Sequence, residues 1–118
     1  MEEFVQLNEV ADKYVKTAVL DFNHEYQRAT SMEEKKVAYH KAKENFSEGL
    51  FVLNKLKLTP LEKNGISHFR KFLKEAIRAC KAGSSGKEEK AHRIMEKARA
   101  HEREYEAILR RIGASLNG

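Results

Sequence analysis

Apolar side chains recur at steps of three and four along almost the whole of this 118-residue sequence, and only three short stretches interrupt them. Phe4, Leu7, Val10, Ala11, Tyr14, Val15, Ala18, Val19, Phe22 and Tyr26 line up this way in the first segment. At about 3.6 residues per turn those steps place one broad apolar face along a helix. Strands would need alternation at every second residue and frequent turns. One Pro and six Gly in the whole chain do not supply them. The expected fold class is therefore all-α.

The interruptions divide the chain into four helices over about 2–28, 32–57, 60–82 and 86–112, with a flexible loop at 83–86. Ser31 and Glu34 stand three apart after Thr30, the spacing of a capping box at the start of the second helix. Thr59-Pro60-Leu61-Glu62 is the sharpest boundary. Pro60 suits a first helical position, Glu62 completes a second box with Thr59, and the residue before Pro is pushed out of the α region. Gly83 is expected to stop the third helix, Ser85 with Glu88 makes a third possible box, and Gly113 is expected to end the fourth helix. The Gly83-Ser84-Ser85-Gly86 string reads equally as a native loop or as an added spacer. Helices of ~22–27 residues, roughly 33–40 Å long, joined by short loops favour antiparallel neighbours. The expectation is a single domain over 1–118, an up-down-up-down four-helix bundle.

A chain of this length buries roughly two-thirds of its unfolded surface, enough for its own core. With 35% charged and 41% hydrophobic residues it fits neither a membrane protein nor a disordered one. No apolar run approaches the ~20 residues that span a bilayer. The one cysteine, Cys80, cannot form an internal disulfide, and the acidic opening Met1-Glu2-Glu3-Phe4 is unlike a secretory signal. A soluble, cytoplasmic protein is expected.

The net charge of +5 belongs to the second half, where Lys and Arg outnumber Asp and Glu by fourteen to eight from Thr59 onward. Lys63, Arg70, Lys74, Arg78 and Lys81 cover an arc of about 80° opposite the apolar face of the third helix. Such a ridge attracts phosphates, anionic lipid heads or an acidic protein surface, unless it is simply a solvated face. It lacks interleaved aromatics for base stacking, and no helix-turn-helix or zinc-finger spacing is present.

Catalytic and metal-binding patterns fail on geometry. Glu89-x-x-His92 and Asp21-x-x-His24 imitate the di-metal motif of helical bundles, and Glu44 and Glu48 are the matching carboxylates on helix two. On the helical wheel all of them project away from the apolar faces. The histidines (His24, His40, His68, His92 and His101) share no zinc-ligand spacing. His68 and His101 fall at the edges of their core faces, where a local hydrogen bond is the expected role. Cys80 projects into an apolar face, as a buried inert thiol does. No phosphate loop or nucleophile elbow occurs. Neither an enzyme, a metal nor a cofactor is expected.

One anomaly remains, on helix two. Phe51 and Leu58 lie off the main apolar stripe, with Val37 nearby, so that surface is either enclosed by neighbouring helices or meets another molecule. The expected function is a non-catalytic protein-interaction or adaptor module, using Val37, Phe51 and Leu58 for a partner or for dimerisation. The alternative is a nucleic-acid-binding accessory protein using the helix-three ridge.

Overall fold

The computed structural model gives the backbone of residues 5–60 and 62–117 and the side chains of 6–60, 62–63, 65–108 and 110. Helix α1 is built from three consecutive segments, Val5–Val10, Ala11–Lys16 and Thr17–Arg28; α2 is Met32–Lys55, α3 is Lys63–Ser84 and α4 is Glu88–Asn117. The expected antiparallel bundle of four helices forms, 51 Å in its longest dimension. The expected start at Glu2 and the core positions Phe4, Leu61 and Leu109 lie outside the described side chains.

Of the three expected capping boxes one closes in both directions, at Thr59/Glu62, and one in a single direction, at Ser31/Glu34. The Glu34 amide donates to Ser31 Oγ (3.2 Å), while the Glu34 carboxylate reaches one residue further back, accepting from the Thr30 amide and hydroxyl (3.3 and 3.0 Å). At the second box the Glu62 amide donates to Thr59 Oγ1 (3.2 Å) and Glu62 Oε1 accepts from the Thr59 amide (3.1 Å). The same oxygen accepts from Gln6 Nε2 at 3.0 Å, which ties α1 to the α2–α3 connection. Glu62 is only 1% exposed, and three donors converge on that one oxygen. Its other oxygen, Oε2, is buried without a hydrogen-bond partner among the described residues.

Five boundaries depart from expectation, among them the start of α4 at Glu88 rather than at about 86. Helix α2 stops at Lys55 because Leu56 turns extended, which lets Leu56 and Leu58 fold back onto the core. Regular winding of α3 begins at Lys63, a turn after Pro60, although the Lys63 amide already reaches the Thr59 carbonyl (3.1 Å). Gly83 does not stop α3. It lies inside the helix because the Tyr39 ring occupies the space a Cβ would need. The stop is at Gly86, with φ +83°: the Lys87 amide donates to the Ala82 carbonyl (2.9 Å) and the Gly86 amide to the Gly83 carbonyl (3.0 Å). This is a Schellman closure, which needs the left-handed backbone that glycine adopts at no steric cost. Ser85 gives its amide to the Lys81 and Ala82 carbonyls, and Glu88 serves Tyr26, so the third box is not made. Finally, α4 continues through Gly113 to Asn117.

The core follows the apolar faces. Leu7, Ala18, Ala42, Phe46, Leu53, Phe72, Leu73, Ala76, Cys80 and Ala98 are buried in one cluster, with Phe46 and Phe72 edge to face at 6.2 Å. A smaller cluster of Tyr39, Ala79, Ala82, Ala91 and Ile94 fills the end where α1 finishes and α4 begins. α1 and α2 approach closely at Gly49, where an added Cβ would lie 2.7 Å from Tyr14 Cβ.

Candidate functional site: the open seam between α1 and α4

Helix α3 packs along both α2 and α4, and α1 packs along α2, but among the described residues α1 and α4 scarcely touch. The fourth side of the bundle is thus an open seam. Two adjoining cavities occupy it, about 380 and 510 Å³, both bordered by Val19. In the first, Ala11, Val15 and Leu20 of α1 face Tyr105 of α4, over a floor of Phe69 and Phe72. In the second, Phe22 and Met95 flank a floor that includes Phe46. The seam is closed at one end, where the Tyr26 hydroxyl donates to Glu88 Oε1 at 2.7 Å.

Helix α1 departs from regular winding where it borders the first cavity. Ala11–Lys16 is π-wound, and the Thr17 hydroxyl donates five residues back to the Asp12 carbonyl (3.0 Å). A π turn carries more residues per turn than an α turn and so shifts the directions of side chains on either side of it; such turns concentrate at functional sites. Here Ala11, Val15 and Lys16 border the cavity, while Tyr14 packs against Gly49 of α2. Leu20 is left 60% exposed at the rim.

The seam is charged along its edges. Asp12, Glu102 and Glu106 stand at the mouth of the first cavity, with Lys16 as the one cation; Arg93 and Arg99 stand at the second, where Arg99 pairs with Glu96 at 3.2 Å. Burial raises the Glu102 carboxyl above its ordinary value, and the Glu106 charge adds to this, against a smaller opposing pull from Arg99 and Arg103. A cation placed between Glu102 and Glu106 would relieve both effects.

The residues singled out in sequence are not brought together. Phe51 is 60% exposed and Val37 52%, but they stand fourteen residues apart on α2 with exposed Lys41, Glu44 and Glu48 between them. That separation is about 21 Å along the axis. Lys55 Nζ sits 4.0 Å over the Phe51 ring, and Leu58 is half-buried against the core. On α3, Lys63, Lys74, Arg78 and Lys81 are exposed, whereas Arg70 is half-buried and donates from Nε to Asn54 Oδ1 (2.9 Å). Arg78 binds both oxygens of Glu75 at 2.9 and 3.0 Å. The ridge extends about 27 Å along the helix, so its charges do not converge.

The groups considered for chemistry are scattered. Among the described residues no three His, Cys, Asp or Glu side chains are grouped to hold a metal ion. His24 pairs with Arg28 and His40 with Glu44, both within a helical turn. His68 and His101 face each other with ring centroids 6.0 Å apart, but His68 Nδ1 has no hydrogen-bond partner among the described residues, contrary to the local bond expected for it. Cys80 is buried, and that burial pushes its thiol up to about 12. No helix of the described residues is long and apolar enough to cross a membrane.

The seam has a sequence signal, though a weak one. Ala11, Val15, Val19 and Leu20 are apolar in sequence, and all four border the seam. No family model matches the chain, and no curated protein or solved structure matches it either.

Proposed function

We propose that this chain is a non-catalytic protein-interaction module that receives an amphipathic helix of a partner protein in the α1/α4 seam. The observation that carries this reading is the apolar floor of the seam, open to solvent between two helices that do not pack together. A groove between helices suits an incoming helix, whose apolar stripe repeats at i, i+3, i+4 and i+7. Charge selects among such helices. Asp12, Glu102 and Glu106 favour Lys or Arg flanking the stripe at one end, and Arg93 with Arg99 favours acidic residues at the other. The surface of Val37, Phe51 and Leu58 supports a partner less well, since charged residues divide it and Leu58 is turned inward. Nucleic-acid binding through the α3 ridge is the rival reading. It has less support because Arg70 and Arg78 are already engaged.

A phage-displayed library of helical peptides, selected on the intact protein, tests the reading. Enriched peptides are expected to share an apolar stripe flanked by Lys or Arg, and to lose binding to Leu20→Glu and Glu106→Lys. Peptides without that pattern, or undiminished binding to both variants, would overturn it.

A further inference from the structure

The cations that do converge are at the corner where α3 passes into α4. Arg78 and Lys81 on the last turns of α3, Lys87 in the connection and Lys90 on the first turn of α4 border a cavity of about 310 Å³, within the size range of small-molecule sites. Buried Ala82 and Ile94 form its apolar part, Ser85 adds a hydroxyl, and no carboxylate lines it. Of the acids nearest in sequence, Glu75 holds Arg78 through both oxygens and Glu88 accepts from Tyr26, while Glu89 is exposed and lies outside the cavity lining. Among the described residues Lys81, Lys87 and Lys90 make no ion pair, although Lys36 and Lys41 do so elsewhere.

The corner is held by the backbone rather than by the side chains. The Schellman closure at Gly86 fixes the path from Ala82 to Lys87, so Lys87 is set beside the end of α3 instead of on a loose loop. The Lys81–Lys90 separation is therefore built into the turn. Glu75 already offsets Arg78, but the three lysines without an ion pair repel one another, and the arrangement is relieved by a compact anion of high charge. One negative charge would meet only part of the cluster. A lone strand of nucleic acid would instead follow a track, and the α3 ridge gives no continuous one.

We propose that this corner is a binding site for adjacent phosphate groups in a single compact ligand, the chemistry of a pyrophosphate or a longer phosphoanhydride. Lys81, Lys87 and Lys90 would contact the outer oxygens, and Arg78 would orient the anion while keeping Glu75. The site lies on the α3/α4 side of the molecule, apart from the α1/α4 seam, and does not depend on the interaction reading.

Calorimetric titration of the intact chain with tripolyphosphate at ~50 and ~200 mM salt tests this, because screening weakens exposed charge contacts in that range. One saturable site is expected, weaker at the higher salt, with orthophosphate binding at least about tenfold more weakly. Lys87→Gln with Lys90→Gln should weaken tripolyphosphate by about tenfold or more, whereas Lys63→Gln with Lys74→Gln should leave it unchanged. Leu20→Glu should also leave it unchanged, which separates this site from the seam. All these positions are exposed, and matching thermal melts establish that each variant is folded. The proposal is overturned by absence of saturable binding at low salt, or by equal loss in the Lys63/Lys74 control. Tighter binding to anionic lipid vesicles or to single-stranded RNA than to tripolyphosphate would overturn it too.

Discussion

Tyr26 and Glu88, sixty-two residues apart in sequence, join the last turn of α1 to the first turn of α4 through a 2.7 Å hydrogen bond. The ring of Tyr26 is held by Phe22 at 5.4 Å and by Tyr39, edge to face, at 5.9 Å. This contact sets where the seam closes, and the two cavities open beyond it toward the other end of the bundle.

Tyr26→Phe keeps the aromatic packing and deletes the bond. The variant should lose about 1–2 kcal/mol in urea unfolding, toward the low end of the ~1.5–3 kcal/mol of a hydrogen bond to a charged group because Tyr26 is only half-buried. The hydrogen bond to Glu88, then burial, raise the Tyr26 phenol above 10.0. A group with a raised folded pKa contributes stability that is complete below its unfolded pKa and lost as pH climbs through the folded one. The wild type should therefore lose stability above about pH 10 more steeply than Tyr26→Phe.

Alanine for glycine inside a helix ordinarily stabilises, by roughly 0.5–1 kcal/mol. Gly83→Ala should do the reverse. Its Cβ would overlap the Tyr39 ring, which is buried and packed against Phe22 and Tyr26, so the ring must give up those contacts to admit it. Overpacking of this kind costs roughly 1–3 kcal/mol, and a denaturation midpoint at or above that of wild type would refute the assignment.

The contrast at Gly83 shows what the sequence made legible. Steps of three and four located all four helices, because each needs only its own residues to declare an apolar face. Ser31/Glu34 and Thr59/Glu62 were legible for the same reason, since a capping box is local. Gly83 was misread because its role depends on Tyr39, forty-four residues earlier. The site was harder still. Periodicity places Leu20 and Val15 on an apolar arc but cannot say that α4 stays away from them, and it has no signal for the π turn at Ala11–Lys16. Phe51 stood out on the wheel, and it is indeed exposed, but an exposed side chain with a lysine over its ring is a single residue rather than a surface. The Arg78–Lys90 corner combines the end of the ridge that was legible with lysines from the next helix, a pairing set by the turn at Gly86.

Glu62 should be the most sensitive polar position. Truncation to Ala leaves Gln6 Nε2 and the Thr59 amide and hydroxyl without their shared acceptor, next to a side chain that was 1% exposed. The expected loss is about 2–4 kcal/mol, with Glu62→Gln losing less because one carbonyl oxygen remains to accept. Equal losses for the two substitutions in chemical denaturation would mean that shape, rather than acceptance, is what the position requires.

Glu102 links stability to the seam. Its carboxyl is raised first by burial and then by Glu106, so the folded state holds the proton more tightly than the unfolded chain does. Stability from this group is complete below the unfolded carboxylate pKa and falls as pH rises through the folded value, opposite in sign to a carboxylate in a favourable ion pair. Glu102→Gln removes the penalty. The variant should melt above the wild type at pH 7, and the difference should shrink toward zero near pH 3, where both side chains are neutral. A peptide that places Lys between Glu102 and Glu106 should bring the wild type level with the variant at pH 7. Thermal melts of the two proteins across that pH range, with and without such a peptide, would read both effects. A difference that stayed constant with pH would locate the effect in packing instead of charge.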